Sequence, residues 1–206
     1  MARKTRLEHD SLGPLAVPAD ALYGAQTQRA IDNFPVSGQP MPRGFLRALG
    51  LVKAAAASAN ASLGHLPADV AEAIAGAAGE VAAGRHDAHF PVDVYQTGSG
   101  TSSNMNANEV IARLASKGRK APVHANDQVN MGQSSNDVVP TAIQVAAVLA
   151  CREQLLPALK HLRSTIDRRA RGLGKVVKTG RTHLMDAMPL TLAQELGTWS
   201  AQLASA

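Results

Sequence analysis

The chain has 206 residues, 45% hydrophobic and 18% charged, with a formal net charge of +5. That balance excludes a disordered chain, and the length allows one good core or two small domains. The basic residues are scattered apart from Lys117-Gly118-Arg119-Lys120 and Arg168-Arg169-Ala170-Arg171, with no RNP-like or zinc-finger motif beside them; this argues for a solvated basic surface that attracts small anions, and against a nucleic-acid partner.

Aromatics are only 3% and much of the apolar content is alanine, which suits closely packed helices. The lone Cys151 excludes an intramolecular disulfide and predicts a reducing, cytoplasmic setting, with the thiol in a helical core. Arg3, Lys4 and Arg6 lead into no apolar run, so no signal peptide is expected. No unbroken apolar run reaches the ~18 residues of a membrane span.

In chain order, residues 1 to 42 carry Pro14, Pro18, Pro35, Pro40 and Pro42 and predict an irregular arm, with a short helix within Leu22–Arg29. Arg43 to Leu63 predicts a helix with Leu46, Leu49 and Val52 on one side, ended by Gly64. Pro67 opens another, whose Val70, Ile74, Ala77 and Val81 share a face, and Gly84 closes it. Phe90 to Tyr95 reads as a short extended piece feeding Thr97-Gly98-Ser99-Gly100-Thr101-Ser102-Ser103-Asn104. Ser102, Ser103 or Asn104 then caps a helix through Met105, Val110, Ile111 and Leu114, and its free N–H groups would meet a small anion.

A polar loop carries His124 to Asn130 and Gln133 to Asp137. A long helix follows to Arg171, with Leu155, Leu159, Leu162 and Ile166 on one face and a kink or break at Pro157. Lys175 to Thr179 reads as extended, and Gly180 to Pro189 as a loop. Thr191 with Gln194 gives a capping-box pattern before a last helix faced by Leu192, Leu196, Trp199 and Leu203. The expected fold is mainly α: an irregular arm and small helical domain over 1–136, then the start of a long-helix bundle over 137–206, incomplete at its C-terminus. The broad apolar stripes call for other chains, or residues beyond these, to bury them.

Three neutral polar clusters stand out: Ser99 to Asn108, Gln133 to Asn136, and Thr182-His183. Hydroxyls, amides and one imidazole suit a small polycarboxylate and a reaction that builds charge on a carboxylate. No Walker A, His-Glu-x-x-His or Cys-x-x-Cys sequence is present. His86 and His89 are spaced for a shared metal, but no third ligand accompanies them. As an isolated loop residue, His183 reads as a histidine bonded to backbone; as isolated motifs, the two serine-rich runs read as helix caps.

Taken together, Thr97 to Asn106, His124-x-Asn126-Asp127-x-Val129-Asn130, Gln133 to Asp137 and Gly180-Arg181-Thr182-His183-Leu184 resemble class II fumarate hydratase, of the fumarase/aspartase superfamily. Pro18 to Arg29 and Pro189-Leu190-Thr191-Leu192-x-Gln194-Glu195 match as well. The resemblance implies reversible hydration of fumarate to (S)-malate in the tricarboxylic acid cycle, with no cofactor and no catalytic metal. It implies a homotetramer with a central helical bundle and active sites drawn from three subunits, so that Ser134 to Asn136 and Thr182-His183 reach Ser99 from other copies. By the same resemblance, Ser99, Gly100, Thr101, Ser134, Ser135, Asn136 and Thr182 bind substrate. His183 donates a proton or activates water, and His124, Ala125, Asn126 and Asp127 form a secondary carboxylate site.

The chain departs from the family where Pro, Ser and Gln are usual, at Ala125, Gly132 and Met185. It also ends before the family's mobile Gly-Ser-Ser-x-Met-Pro-x-Lys-x-Asn loop, so the resemblance implies an N-terminal portion that is inactive alone. Two alternatives remain. Aspartate ammonia-lyase usually has Ala, Thr and Gln where Ser99, Ser135 and His183 stand; a non-catalytic fragment would only associate with intact subunits.

Overall fold

The computed structural model describes residues 4–206; Arg3 lies outside them. By internal contacts the described residues form two compact units, 4–147 and 148–206.

The arm is more ordered than its prolines suggest. Strands β1 (Thr5–Asp10) and β2 (Gly13–Pro18) pair antiparallel from Thr5↔Pro18 to Asp10↔Gly13. Gly13 turns the chain at φ 107°, a conformation that favours glycine. Both strands alternate in exposure, but the inward residues are mixed in type, so hydropathy alone hides them. Arg6 fastens the hairpin: its guanidinium donates to the carbonyls of Pro18 (2.8 Å), Ala21 (2.7 Å) and Tyr23 (2.6 Å).

Helix α1 (Ala25–Asn33) overlaps the expected short helix. Its N-cap, Gly24, has no side chain to offer, and its first turn has no acid. The Glu109 carboxylate does that work from another helix. It accepts from the N–H groups of Gly24 (2.9 Å), Gln26 (3.0 Å) and Thr27 (3.1 Å) and from Thr27 Oγ1 (2.6 Å). An anion at a helix N-terminus satisfies orphan donors and opposes the macrodipole.

Farther along the arm, Asp93 accepts from the N–H groups of Ser37 (2.7 Å), Gly38 (2.7 Å) and Tyr95 (2.8 Å), and from Ser37 Oγ. Burial raises its pKa, but these donors outweigh it and hold the carboxyl at about 2. The folded pKa lies below the ordinary 3.8, so the stabilisation is present above that value and lost as pH falls through about 2. Asp93→Asn is therefore expected to melt well below wild type near neutral pH, and the gap to close on acidification. Melting curves at a series of pH values check this; a gap of constant size down to the acid limit would contradict it.

The first unit's core lies among α2 (Arg43–Ser62), α3 (Ala68–Ala82) and α4 (Thr101–Ala115). The 3.6-residue period places Leu46 and Leu49, then Val70, Ile74, Ala77 and Val81, then Val110, Ile111 and Leu114 inside it. Gly64 and Gly84, at φ 73° and 81°, end the first two helices as expected. Phe90 to Tyr95 is extended only at one bridge, Pro40↔Asp93.

A continuous helix runs Ser135–Arg171. It comprises α5 (Ser135–Ala150), a π-helical turn over Cys151–Leu155, and α6 (Leu156–Arg171). No sharp break occurs at Pro157. The wider π turn just before it accommodates a residue that has no N–H for the regular ladder. Cys151 is exposed, not core, because the helix buries only Val138, Val139 and Ala142, all in its first two turns. By length and composition this helix is apolar enough to cross a membrane. The expectation against a span rests on unbroken runs, which isolated polar residues such as Thr141 and Gln144 interrupt without lowering the average far.

In the second unit, α6 packs with α7 (Leu192–Ser205). Leu162, Ile166, Leu196, Trp199 and Leu203 line an apolar groove between them. The capping box at α7 is present: Gln194 N–H donates to Thr191 Oγ1 (3.2 Å), and Thr191 N–H to Gln194 Oε1 (2.8 Å). The stretch read as a loop is a hairpin, β3 (Val177–Thr182) and β4 (Met185–Thr191).

Candidate functional site

Gly100 is the N-cap of α4, at φ 70°. Ser102, Ser103 and Asn104 do not cap it; they lie inside the first turns, all buried. The capping comes from upstream side chains. Thr97 Oγ1 accepts from Ser102 N–H (3.2 Å) and Gln96 Oε1 from Ser103 N–H (2.9 Å). Two of the N–H groups expected to meet an anion are thus already engaged, and hydroxyls replace them as the outward donors. Ser99 Oγ lies 2.8 Å from Thr101 Oγ1, and Ser99 is exposed.

Helix α5 starts with the same logic. Ser134 Oγ accepts from Asn136 N–H (3.2 Å), and the Ser134 carbonyl accepts from Asp137 and Val138. Ser135 Oγ accepts from Asn104 Nδ2 (2.9 Å), and Ser135 is half-buried. Asn136 stays exposed.

The two helix starts meet in one chain. Thr97, Gly98, Ser99, Gly100 and Asn136 line a cleft of about 330 Å³ with Val139, Pro140 and Ile143 on its apolar side. A Cβ on Gly100 would fall 2.9 Å from Val139 Cγ1. Only glycine allows both the positive φ and this approach of the loop to α5. Asn136 therefore shares a wall with Ser99 in a single copy, against the expectation that it arrives from another. None of the cleft's lining side chains is ionisable. The cleft has donors and an apolar side, but no group that exchanges a proton near neutral pH.

A larger cavity, about 570 Å³, is lined by His124, Ala125 and Asn126 together with His9, Tyr23 and Arg113. Residues Ala125–Val129 form one π-helical turn instead of a loop. His124 Nδ1 lies 3.1 Å from Asp127 N and 3.0 Å from Asp127 Oδ2. A proton on Nδ1 would switch this ring from accepting the backbone N–H to donating to the carboxylate. Asp127 is thereby directed at His124. Gly132, where the family usually has serine, sits at φ 68°, which glycine adopts without strain.

Thr182 and His183 belong to the second unit, and both are exposed. With Thr182 paired to Met185, His183-Leu184 is a two-residue turn, and both turn residues have positive φ, 48° and 61°. Such turns favour Asn-Gly; two side-chain-bearing residues there store strain, of the kind that clusters at functional positions. Leu184 is fully exposed and Met185 largely so.

His86 and His89 do not share a ligand position. His86 Nε2 lies 2.7 Å from Glu80 Oε2, and His89 Nδ1 accepts from Leu22 N–H (3.3 Å). Among the described residues no cluster of three metal-ligating side chains exists. Residues that the sequence reading passed over are Gln96, which caps α4, Glu109, which caps α1, and Lys53, buried beneath the Ser134 segment. For Lys53 the signal is chemical mismatch, a cation inside an otherwise apolar helical stripe.

Comparison with known proteins adds the following. A family described as lyase matches residues 13–206. The chain is 71% identical over 201 residues to a "Fumarate hydratase class II" of Xylella fastidiosa, covering 98% of this chain and 42% of that protein. It is 59% identical to a "Fumarate hydratase class II 2" of Pseudomonas aeruginosa, covering 98% and 44%. The crystal structure of a class II fumarase from Schistosoma mansoni superposes with a TM-score of 0.93 at 40% identity, over 98% of this chain and 44% of that one. The chain thus spans less than half the length of the proteins it matches.

Proposed function

The chain belongs to the lyase family, and from that membership we propose that it is the carboxylate-recognising portion of a fumarate hydratase. The reaction is the reversible addition of water across the double bond of fumarate, giving (S)-malate within the tricarboxylic acid cycle in the cytoplasm. The observation that carries this reading is the cleft where Ser99, Gly100 and Asn136 meet. A dicarboxylate needs neutral donors around it, and hydration builds negative charge on one carboxylate as the adjacent carbon loses or gains its proton. Ser99, Thr101, Ser134, Ser135 and Asn136 are the proposed substrate contacts, with Thr182 a further one. Since the cleft holds no ionisable group, proton transfer is assigned to His183, presented on its strained turn by another copy. His124 to Asp127 would hold a second carboxylate beside the larger cavity.

A homotetramer supplies those copies, with the helix Ser135–Arg171 in the shared bundle. Ile143, Val148, Leu155, Leu156 and Leu162 are half-exposed or so along it. A bilayer is a poorer cover, because Arg152 and Glu153 stand at its midpoint, where a charge costs about 3 kcal/mol.

An activity assay on the purified 206-residue chain tests the division of labour. Malate formation from fumarate and ammonia release from aspartate are followed in parallel. The expected result is little or no turnover of either. Fumarate hydration by this chain, abolished in His183→Ala, would show that it needs no further group. Ammonia release without malate would replace the reading with an aspartate ammonia-lyase.

A further inference from the structure

Lys53 stands in the middle of α2 with its side chain fully buried. Buried cations are ordinarily matched by carboxylates, because an unpaired ammonium is costly to desolvate. Here both acceptors are amides. Nζ donates to Asn130 Oδ1 at 3.0 Å and to Gln133 Oε1 at 2.8 Å. The same Asn130 oxygen accepts from Asn108 Nδ2 (3.1 Å) and Asn104 Nδ2 (3.2 Å) on α4. Asn104 Nδ2 also donates to Ser135 Oγ at 2.9 Å.

The cation and the neighbouring bonds agree on which way two amides point. With both oxygens turned to Nζ, Asn130 Nδ2 must face outward, and it donates to the Gln133 carbonyl (3.1 Å). Gln133 Nε2 likewise donates to the carbonyls of Val129 (2.9 Å) and Met131 (3.3 Å). Those bonds shape the turn that delivers Ser134 to the start of α5. An apolar side chain at position 53 would remove the Nζ donor from both oxygens, and each amide would lose one of the bonds that pin it.

We propose that Lys53 is a positioning residue: its ammonium ties down the side chains of Asn130 and Gln133 and so holds the turn that leads through Ser134 and Ser135 to Asn136, the residue of that segment that lines the cleft. The functional half of this statement rests on reading that cleft as the carboxylate site. Burial alone pushes Lys53 down to about 7. The side chains that bond it, Asn130 and Gln133, and the α4 side chains Asn104 and Asn108 that share the Asn130 oxygen, are amides and do not titrate. The clamp is therefore largely charged below that midpoint and largely neutral above it.

The test is an NMR pH titration of the whole chain, following Lys53 Cε, the side-chain amides of Asn130 and Gln133, and the backbone amides of Ser135 and Asn136. The expected result is one shared midpoint near that of Lys53. In Lys53→Met the shared transition disappears and the two side-chain amides broaden or double. Loop amides that ignore the Lys53 transition would overturn the proposal, as would single, unmoved amide signals in Lys53→Met. Should that variant not fold, the wild-type titration decides. A fumarate arm separates the two halves. Binding read at the Asn136 amide should weaken several-fold above the midpoint in wild type. If fumarate moves no cleft amide at any pH while the shared midpoint holds, the carboxylate reading falls and the ordering by Lys53 stands.

Discussion

Gly50→Ala is expected to destabilise the first unit by about 3 kcal/mol, the upper end of the usual overpacking range. In an ordinary helix interior the same change stabilises by up to ~1 kcal/mol, because alanine loses less backbone entropy. The local geometry decides the sign. A Cβ on Gly50 would lie 2.7 Å from the Ala78 carbonyl oxygen and 2.8 Å from Ala82 N. Both are backbone atoms of α3, so no rotamer change can relieve the clash; the two helices must move apart. They form the most extensive helix pairing in the unit, through Leu46, Leu49, Ile74, Ala78 and Val81. Gly76, exposed on α3 with open space around it, is the internal control, and Gly76→Ala should raise the melting temperature. Thermal melts of both variants check this, and a Gly50→Ala chain as stable as wild type would contradict the close approach of α2 to α3.

The second large effect is expected at the hairpin tip. Replacing His183-Leu184 by Asn-Gly puts a residue that tolerates the left-handed region and one that adopts it freely at the two positive-φ positions, where an ordinary side chain costs on the order of 1–2 kcal/mol. The hairpin should become more stable by about that much in total, as hydrogen exchange of the β3–β4 amides would report. Activity should move the other way. In any active assembly containing this chain, loss of the His183 imidazole should cost at least ~10²-fold in hydration rate, the usual worth of a positioned acid or base. A turn that gains stability and keeps full activity would show that its strain serves no chemistry and that His183 is a surface residue. Gly180, whose Cβ would lie 2.5 Å from the Met188 carbonyl oxygen, is left unchanged so that the strand register stays fixed.

Much of the architecture is legible in residue order because α2, α3 and α4 obey the 3.6-residue period, and α2 and α3 end in glycines at positive φ. What the sequence hides is nonlocal. Strands β1 and β2 carry prolines and charges, and they are held by Arg6 reaching carbonyls 12 to 17 residues away. Helix α1 has no local cap because Glu109, 85 residues from Gly24, provides one. The cleft was visible as polar motifs, but its assembly in one chain depends on Gly100 lying against Val139, and no spacing rule shows that contact. Cys151 was misplaced for a related reason: an apolar helix reads as core whether its cover is this chain or another one.

The central claim is that the cleft between the starts of α4 and α5 recognises a dicarboxylate. A fumarate titration of the 206-residue chain, followed by amide chemical shifts, tests it most directly. Saturable shifts are expected at Ser99, Gly100, Thr101 and Asn136, greatly weakened in Ser99→Ala and not reproduced by acetate at equal ionic strength. Shifts confined to other surfaces, or equal responses to acetate and fumarate, would contradict it.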